Sequence, residues 1–144
     1  MSGQSYRDLV VWQKSMRLVT DIYKMTDNFP KAEVFGLTSQ LKRAVVSVPS
    51  NIAEGQGRDS IKEFIRHLSI AYGSLMEAET QVQIAANLSY INQMEADKSF
   101  QQTAEIGRMM NGLTRSLRKS ITDNRQPATG NGSATDNRQP TADN

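Results

Sequence analysis

One face of a helix between residues 37 and 57 carries a row of polar side chains. Arg43, Ser47, Asn51 and Glu54 recur at i, i+4, i+8 and i+11, the spacing of neighbours along one side of an α-helix. The row borders an apolar row on the same helix, so we expect it to face a neighbouring helix. Guanidinium, hydroxyl, amide and carboxylate groups in such a position can bind a small polar ligand or bond to one another.

A second polar row follows in the next helix. Its members lie near the edge of that helix's apolar stripe: Arg66, Ser74, Glu77 and Gln81. We interpret the two rows as a structural network in which Arg43 or Arg66 pairs with Glu54 or Glu77. Six residues form the predicted network: Arg43, Ser47, Asn51, Glu54, Ser74 and Glu77. A ligand pocket between the helices is the alternative.

Catalytic chemistry has little support in the residue types. Glu54 and Glu77 could form a carboxylate pair, but no histidine lies in either row to assist them. The chain has no cysteine and a single histidine, His67, so neither a thiolate or His-based metal cluster nor a Ser-His triad can form within one chain. We therefore expect no enzyme, no metal and no cofactor, and a partly buried packing role for His67.

Basic residues outside the core stripes are candidates for phosphate contacts. They fall into three groups along the sequence: Lys42 and Arg43; Arg58, Lys62 and Arg66; and Arg108, Arg115, Arg118 and Lys119. The third group follows helical spacing and predicts contact with RNA or DNA. Favourable interaction with the helix dipole is the alternative reason for cations near a helix C-terminus. The net charge is only +2, so the case depends on where the charges lie.

Apolar residues at three- and four-residue intervals predict four helices that carry these side chains. We expect them over about 8–27, from 37 to Gly55 and Gly57, from 61 to about 87, and over a fourth segment to about 121. Asp8 is the expected N-cap of the first. S-x-x-E at 60–63 and N-x-x-E at 92–95 are capping boxes that begin the last two. Short connections between long helices indicate an all-α, antiparallel up-down four-helix bundle.

Further features of the sequence refine this picture. Pro49 predicts a kink in the second helix, and Gly73 predicts close approach of a neighbouring helix. The domain is expected to span residues 1–121. Residues 122–144 are polar, repeat TDNRQP and predict a disordered low-complexity tail. There is no signal peptide and no apolar run of roughly 18 residues, so we expect a cytoplasmic protein that does not enter a membrane.

Several stretches resemble the four-helix-bundle family of 23S rRNA intervening-sequence proteins. They are RDLVVWQKSM (7–16), FPKAEVFGLTSQ (29–40), QLKRAVVSVPSNIAEGQGRDS (40–60) and EFIRHLSIAYGSLMEAETQ (63–81). The sequence departs from the family at Lys42, where a second arginine is common, and at His67, where another aromatic is more usual. The tail lies outside the family pattern.

The resemblance implies a ring-shaped homo-oligomer, commonly a pentamer, whose biochemical role is poorly defined. A related group, the accessory variability proteins of diversity-generating retroelements, binds a reverse transcriptase and RNA through a basic surface. Two hypotheses follow. In the first, the protein is a non-enzymatic oligomer that binds structured RNA or DNA as an accessory or scaffold, with a reverse transcriptase as a possible partner. In the second, it is an oligomeric protein–protein interaction module with no nucleic-acid role.

Overall fold

The computed structural model describes residues 5–125, which form four α-helices and no β-strand. The helices are α1 (Val10–Thr26), α2 (Leu37–Gln56), α3 (Ile61–Asn87) and α4 (Gln93–Arg125). Two 3₁₀ turns precede α1 and α2, at Tyr6–Asp8 and Lys31–Glu33. The all-α four-helix architecture predicted from the apolar periodicity is confirmed.

Side-chain caps begin two of the helices where the sequence predicts. The Ser60 hydroxyl accepts a bond of 3.2 Å from the Glu63 N–H at the start of α3. Asn92 and Glu95 exchange bonds of 2.8 and 3.0 Å at the start of α4, a complete capping box. The expected N-cap of α1 is wrong. Asp8 instead closes a capping box with Ser5 around the first 3₁₀ turn, and α1 begins at Val10.

The order of contacts between neighbouring helices shows that these helices run antiparallel. From α1 to α4, Lys14 lies 3.1 Å from Glu105, and seven residues later Asp21 accepts from Gln102, earlier in α4. The same reversal relates α2 to α3, because Ser47 bonds Ser74 whereas the later Asn51 bonds the earlier His67. From α3 to α4, Glu79 accepts from Thr103, and Gly107 lies against Tyr72 and Leu75. The helices therefore alternate in direction around a common core.

The core is made of the apolar stripes that the periodicity indicates. Its largest fully buried apolar side chains come from all four helices: Leu18, Ile22, Leu41, Val45, Val48, Ile52, Leu68, Leu75, Val82, Ile106 and Met110. Because each stripe is continuous along its helix, the polar residues at the stripe edges lie at the seams between helices.

Glycine and proline in the helices have different surroundings. α2 continues through buried Pro49, whose ring nitrogen has no hydrogen to donate to the preceding turn. At Gly55, a Cβ atom would lie 2.7 Å from the His67 Cβ and 3.0 Å from Phe64 Cδ1, so α2 and α3 approach closely there. The close approach predicted at Gly73 is wrong, because a Cβ there would meet nothing within 4 Å.

Glu33 connects the two loops at one end of the bundle. Its carboxylate accepts from the Leu37 N–H at 2.9 Å and from the Tyr90 hydroxyl at 2.8 Å. The bond from Leu37, followed by that from Tyr90, lowers the pKa of Glu33 below its ordinary value of 4.5. The same contact raises the pKa of Tyr90. The α1–α2 and α3–α4 loops are thus joined through a charge-assisted hydrogen bond.

The last helix is longer than the sequence predicts. α4 continues to Arg125, so the domain boundary expected after residue 121 falls inside it. The rest of the predicted tail, residues 126–144, lies outside the described residues. Among the helices of residues 5–125, none combines the length and apolar character needed to cross a bilayer.

Candidate functional site

The seam between α2 and α3 holds a chain of hydrogen-bonded polar side chains. The Ser74 hydroxyl donates to the Ser47 hydroxyl at 2.8 Å, and the Asn51 amide donates to the Ser47 hydroxyl and carbonyl at 3.0 Å each. The Asn51 Oδ1 lies 3.0 Å from Nδ1 of His67, which is only 4 % exposed. Three members of the predicted network, Ser47, Asn51 and Ser74, are therefore directly connected.

Glu54 lies at the solvent-exposed edge of this series of hydrogen-bonded side chains. It accepts from Arg58 at 2.7 Å, one turn further along, and its Oε2 lies 3.9 Å from Nε2 of His67. The bond from Arg58, followed by the electrostatic influence of the nearby His67 ring, lowers the pKa of Glu54 below 4.5. Its side chain is 53 % exposed, so this is a surface ion pair, which is weak in water.

The ion pairs expected from the sequence do not form within the described part of the chain. Arg43 is exposed and makes no ion pair with Glu54 or Glu77, and Arg66 pairs with Glu63 at 3.2 Å. The sequence separations explain the difference. Glu54 and Arg58 are neighbours at i, i+4 and Glu63 and Arg66 at i, i+3, so both ion pairs form within the chain's local structure.

Arg43 and Glu77 instead line an open groove on the same seam. The groove has a volume of about 270 Å³. Its lining consists of Gln40, Arg43, Ala44, Ser47, Ser74 and Glu77. A ligand pocket between these helices was the alternative to a structural network in the interpretation of the sequence, and the groove lies where that pocket would be.

Glu54 and Glu77 do not form a carboxylate pair. Glu54 lies beside His67, and Glu77 is ten residues further along α3. At 1.5 Å per helical residue, the two carboxylates are separated by about 15 Å along the bundle axis. No group of three or more metal-ligating side chains occurs among residues 5–125.

Most of the predicted phosphate-binding cations are exposed, but they differ in their partners. Arg58 and Arg66 are paired with carboxylates, and the Lys42 ammonium lies 4.7 Å from the centre of the Tyr23 ring. The others make no ion pair within residues 5–125: Arg43, Lys62, Arg108, Arg115, Arg118 and Lys119. These six have charge free to interact with another molecule.

The antiparallel register places two of the three predicted groups at the same end of the bundle. Because Glu79 contacts Thr103 and Leu75 lies against Gly107, the same register continued along the bundle puts Arg66 level with Arg115 and Lys62 level with Lys119. Packed helices lie about 8–10 Å apart, so these positions lie at the same level on adjacent helices. We call this region the basic end: Arg58, Lys62, Arg66, Arg115, Arg118 and Lys119.

Other predicted cations lie outside the basic end. Arg108 lies two turns before Arg115 on the same outward face of α4 and extends it as a row. Lys42 and Arg43 lie in the first half of α2, towards the opposite end of the bundle, and on its α1 and α3 sides respectively. The first group therefore does not converge with the other two.

The participation of His67 in the seam is what the sequence interpretation missed. A signal for it exists, because His67, Ser74 and Gln81 recur at seven-residue intervals and so share one side of α3. Gln81 is 5 % exposed, and its Oε1 has no hydrogen-bond partner among the described residues. The polar side of α3 that faces α2 thus begins at His67, whereas the row predicted from the sequence begins at Arg66, one position earlier.

Comparison with known proteins gives a family and a fold. The family model described as 23S rRNA-intervening sequence protein matches residues 7–112. A solved structure from Bacteroides thetaiotaomicron, described as a protein with unknown function from the S23 ribosomal protein family, is 25% identical. The similarity covers 73% of this chain and 98% of that one, with a TM-score of 0.66. No curated protein matches the chain.

Proposed function

The chain belongs to the family of 23S rRNA-intervening sequence proteins, and we propose that it is a non-enzymatic homo-oligomer that binds structured RNA or DNA through the basic end. In this proposal the α2–α3 network has a structural role: it sets the position of α3, and with it Lys62 and Arg66, relative to α2. No reaction is required of Glu54 or Glu77.

The observation that carries the proposal is the grouping of unpaired cations on neighbouring helices. Lys62 on α3 and Arg115, Arg118 and Lys119 on α4 are exposed and make no ion pair within residues 5–125. Lysine and arginine that neutralise phosphates release condensed counterions, which is the main source of sequence-independent affinity. Four such groups at one end suit a phosphate backbone better than the same charges scattered over the surface.

Assembly of several copies would strengthen this binding. One basic end offers few phosphate contacts, but a ring, commonly a pentamer in proteins of this kind, repeats it around an axis. Linked sites bind with a high effective concentration, so a weak patch becomes a useful one. A structured RNA that spans two or more copies is the ligand that gains most from this arrangement.

The cellular process is a finer proposal that rests on the resemblance. We propose an accessory or scaffold role in the cytoplasm beside a nucleic-acid enzyme, such as the reverse transcriptase of a diversity-generating retroelement. The second candidate is an oligomeric interaction module without nucleic acid. The nearly complete exposure of Phe35, at 94 %, favours that candidate because an exposed aromatic suits a protein contact.

Light scattering of the purified protein, with and without a structured RNA, tests the proposal. At low salt we expect an oligomer that gains RNA mass, and at moderate salt we expect it to lose that mass, because counterion release is opposed by added salt. An oligomer that gains no mass with RNA at either salt concentration would contradict nucleic-acid binding. The interaction module would then be the remaining candidate.

A further inference from the structure

Phe35 is an exposed aromatic side chain on a tightly bonded turn. It is 94 % exposed and Val34 beside it is 53 % exposed. The turn is held by the Glu33 carbonyl, which accepts from the Gly36 N–H at 2.9 Å, and by the Glu33 carboxylate, which accepts from Leu37 and Tyr90. Such a turn restrains the backbone that carries Phe35, so little backbone freedom is lost if the ring inserts elsewhere.

A groove that can receive an apolar side chain lies between α3 and α4. Its volume is about 610 Å³, and it is lined by Glu79, Thr80, Gln83, Ile84, Phe100 and Ala104. Ile84 is 41 % exposed and Phe100 is half-buried, so apolar surface of both remains open to solvent. Covering apolar surface of this kind is favourable in water.

We propose that Phe35 of one copy of this protein inserts into the α3–α4 groove of a second copy. The contact joins two different surfaces of the same molecule, so it is heterologous and can repeat from copy to copy. This inference rests on the homo-oligomer in the proposed function and assigns the surfaces that hold it together.

The positions of the two surfaces agree with a side-by-side contact. The bond between Tyr90 and Glu33 puts the α1–α2 loop, with Phe35, at the same end of the bundle as the α3–α4 loop. Ile84 and Phe100 each lie within about two to three turns of that loop, so the groove is at this end too. A turn leaving the α1–α2 connection and a groove on the α3–α4 seam do not overlap, so each copy can use both.

The two surfaces also carry opposite charges. Lys31 lies in the 3₁₀ turn that leads to Phe35, is exposed, and makes no ion pair among residues 5–125. Glu79 lies at the wall of the groove. Insertion of Phe35 brings a cation towards a carboxylate, which favours this pairing over a contact between two identical turns.

The chain's own C-terminal segment is a poor alternative occupant. Residues 126–144 contain alanine and proline but no larger apolar and no aromatic residue. Such a segment has no side chain able to fill a groove lined by Ile84 and Phe100. A second copy, in contrast, provides a phenyl ring on a hydrogen-bonded turn.

Thiol crosslinking of mixed variants tests the contact directly. The chain has no cysteine, so only introduced thiols react. Val34→Cys keeps Phe35 and marks the turn, and Ala104→Cys marks the groove. We expect a short bis-maleimide to give covalent dimers when the two variants are co-expressed, and none with either variant alone. Lys24→Cys, on exposed α1 surface at the same end, replaces Ala104→Cys in the control and should give no dimer.

Each other result overturns the inference in a distinct way. Dimers from Val34→Cys alone would mean that two turns meet each other. Oligomers in light scattering without crosslinks in the mixture would place the interface elsewhere and leave the homo-oligomer standing. If light scattering shows only monomers, the homo-oligomer itself is contradicted, and with it that part of the proposed function.

A substitution at Phe35 gives an independent readout. We expect Phe35→Ala to weaken self-association at least about tenfold, since aromatic anchors carry much of an interface's affinity. Helicity should not change, because the ring is exposed in the single chain. Met94→Ala removes another exposed apolar side chain, 80 % exposed and outside the groove lining, and should leave association unchanged. An unaltered oligomer with Phe35→Ala would contradict the proposal.

Discussion

Asn51 on α2 and His67 on α3 meet across the helix seam, with Oδ1 of the amide 3.0 Å from Nδ1 of the ring. The hydrogen bonds around them fix the direction of this contact. The Asn51 amide nitrogen faces the Ser47 carbonyl, which can only accept, so its oxygen faces the histidine. Nδ1 is therefore the donor, and α2 and α3 are joined by a part-buried bond next to Gly55.

We expect Asn51→Leu to destabilise the fold by about 1–3 kcal/mol, because the buried Nδ1 donor of His67 loses its acceptor. The free energy of unfolding in urea measures this. Ser50→Ala, at an exposed neighbouring position, is the matched control and should change it little. Combining Asn51→Leu with His67→Phe removes both partners and should recover part of the loss. No recovery in the double variant would contradict the pairing.

Two glycines should respond in opposite directions to the same substitution. Gly55→Ala puts a Cβ 2.7 Å from that of His67, and we expect it to cost about 1–3 kcal/mol through overpacking. Gly73→Ala meets nothing within 4 Å and should stabilise α3 by about 0.5–1 kcal/mol. Thermal unfolding of the two variants compares them. Equal destabilisation would show that α3 is packed differently at Gly73.

The hydrogen bonds of Glu33 give stability a pH dependence. Because they hold its pKa below 4.5, folding favours the carboxylate, and its contribution is present above pH 4.5 and lost as the pH falls through the lowered pKa. We expect Glu33→Gln to be less stable than the wild type near neutral pH, with the difference shrinking in acid. Urea titrations across that range measure it. Asp27→Asn, an exposed carboxylate in the same loop, is the control. A difference that stays constant with pH would rule out this role for Glu33.

The fold was accessible from the sequence because its signals are local or periodic. The apolar stripes predicted the helices, and the Ser60 and Asn92 caps predicted where two of them begin. The start of α1 was missed because Ser5 and Asp8 form a capping box around a 3₁₀ turn, which has the same spacing as a helix cap. The end of α4 was missed because its last turn is polar and has no apolar stripe to mark it.

The polar site was harder to predict than the helices that carry it. Spacing on α2 correctly put Ser47 and Asn51 on one side, but it does not say which residue of α3 lies opposite each. That depends on the register between the helices, which brought His67 to Asn51. Arg66 pairs with Glu63 and Arg58 pairs with Glu54, each within one helical turn, so neither Arg66 nor Glu54 was available for a pair across the seam.

The salt dependence of RNA affinity tests the central claim most directly. The wild type is compared with a variant carrying Lys62→Gln, Arg115→Gln and Lys119→Gln, and with Lys24→Gln, which removes one cation at the opposite end. If the basic end binds phosphates, the slope of log affinity against log salt falls by about 0.7–0.9 for each phosphate that the triple variant no longer neutralises, and it stays unchanged in the control. An equal slope for wild type and triple variant would contradict nucleic-acid binding through the basic end.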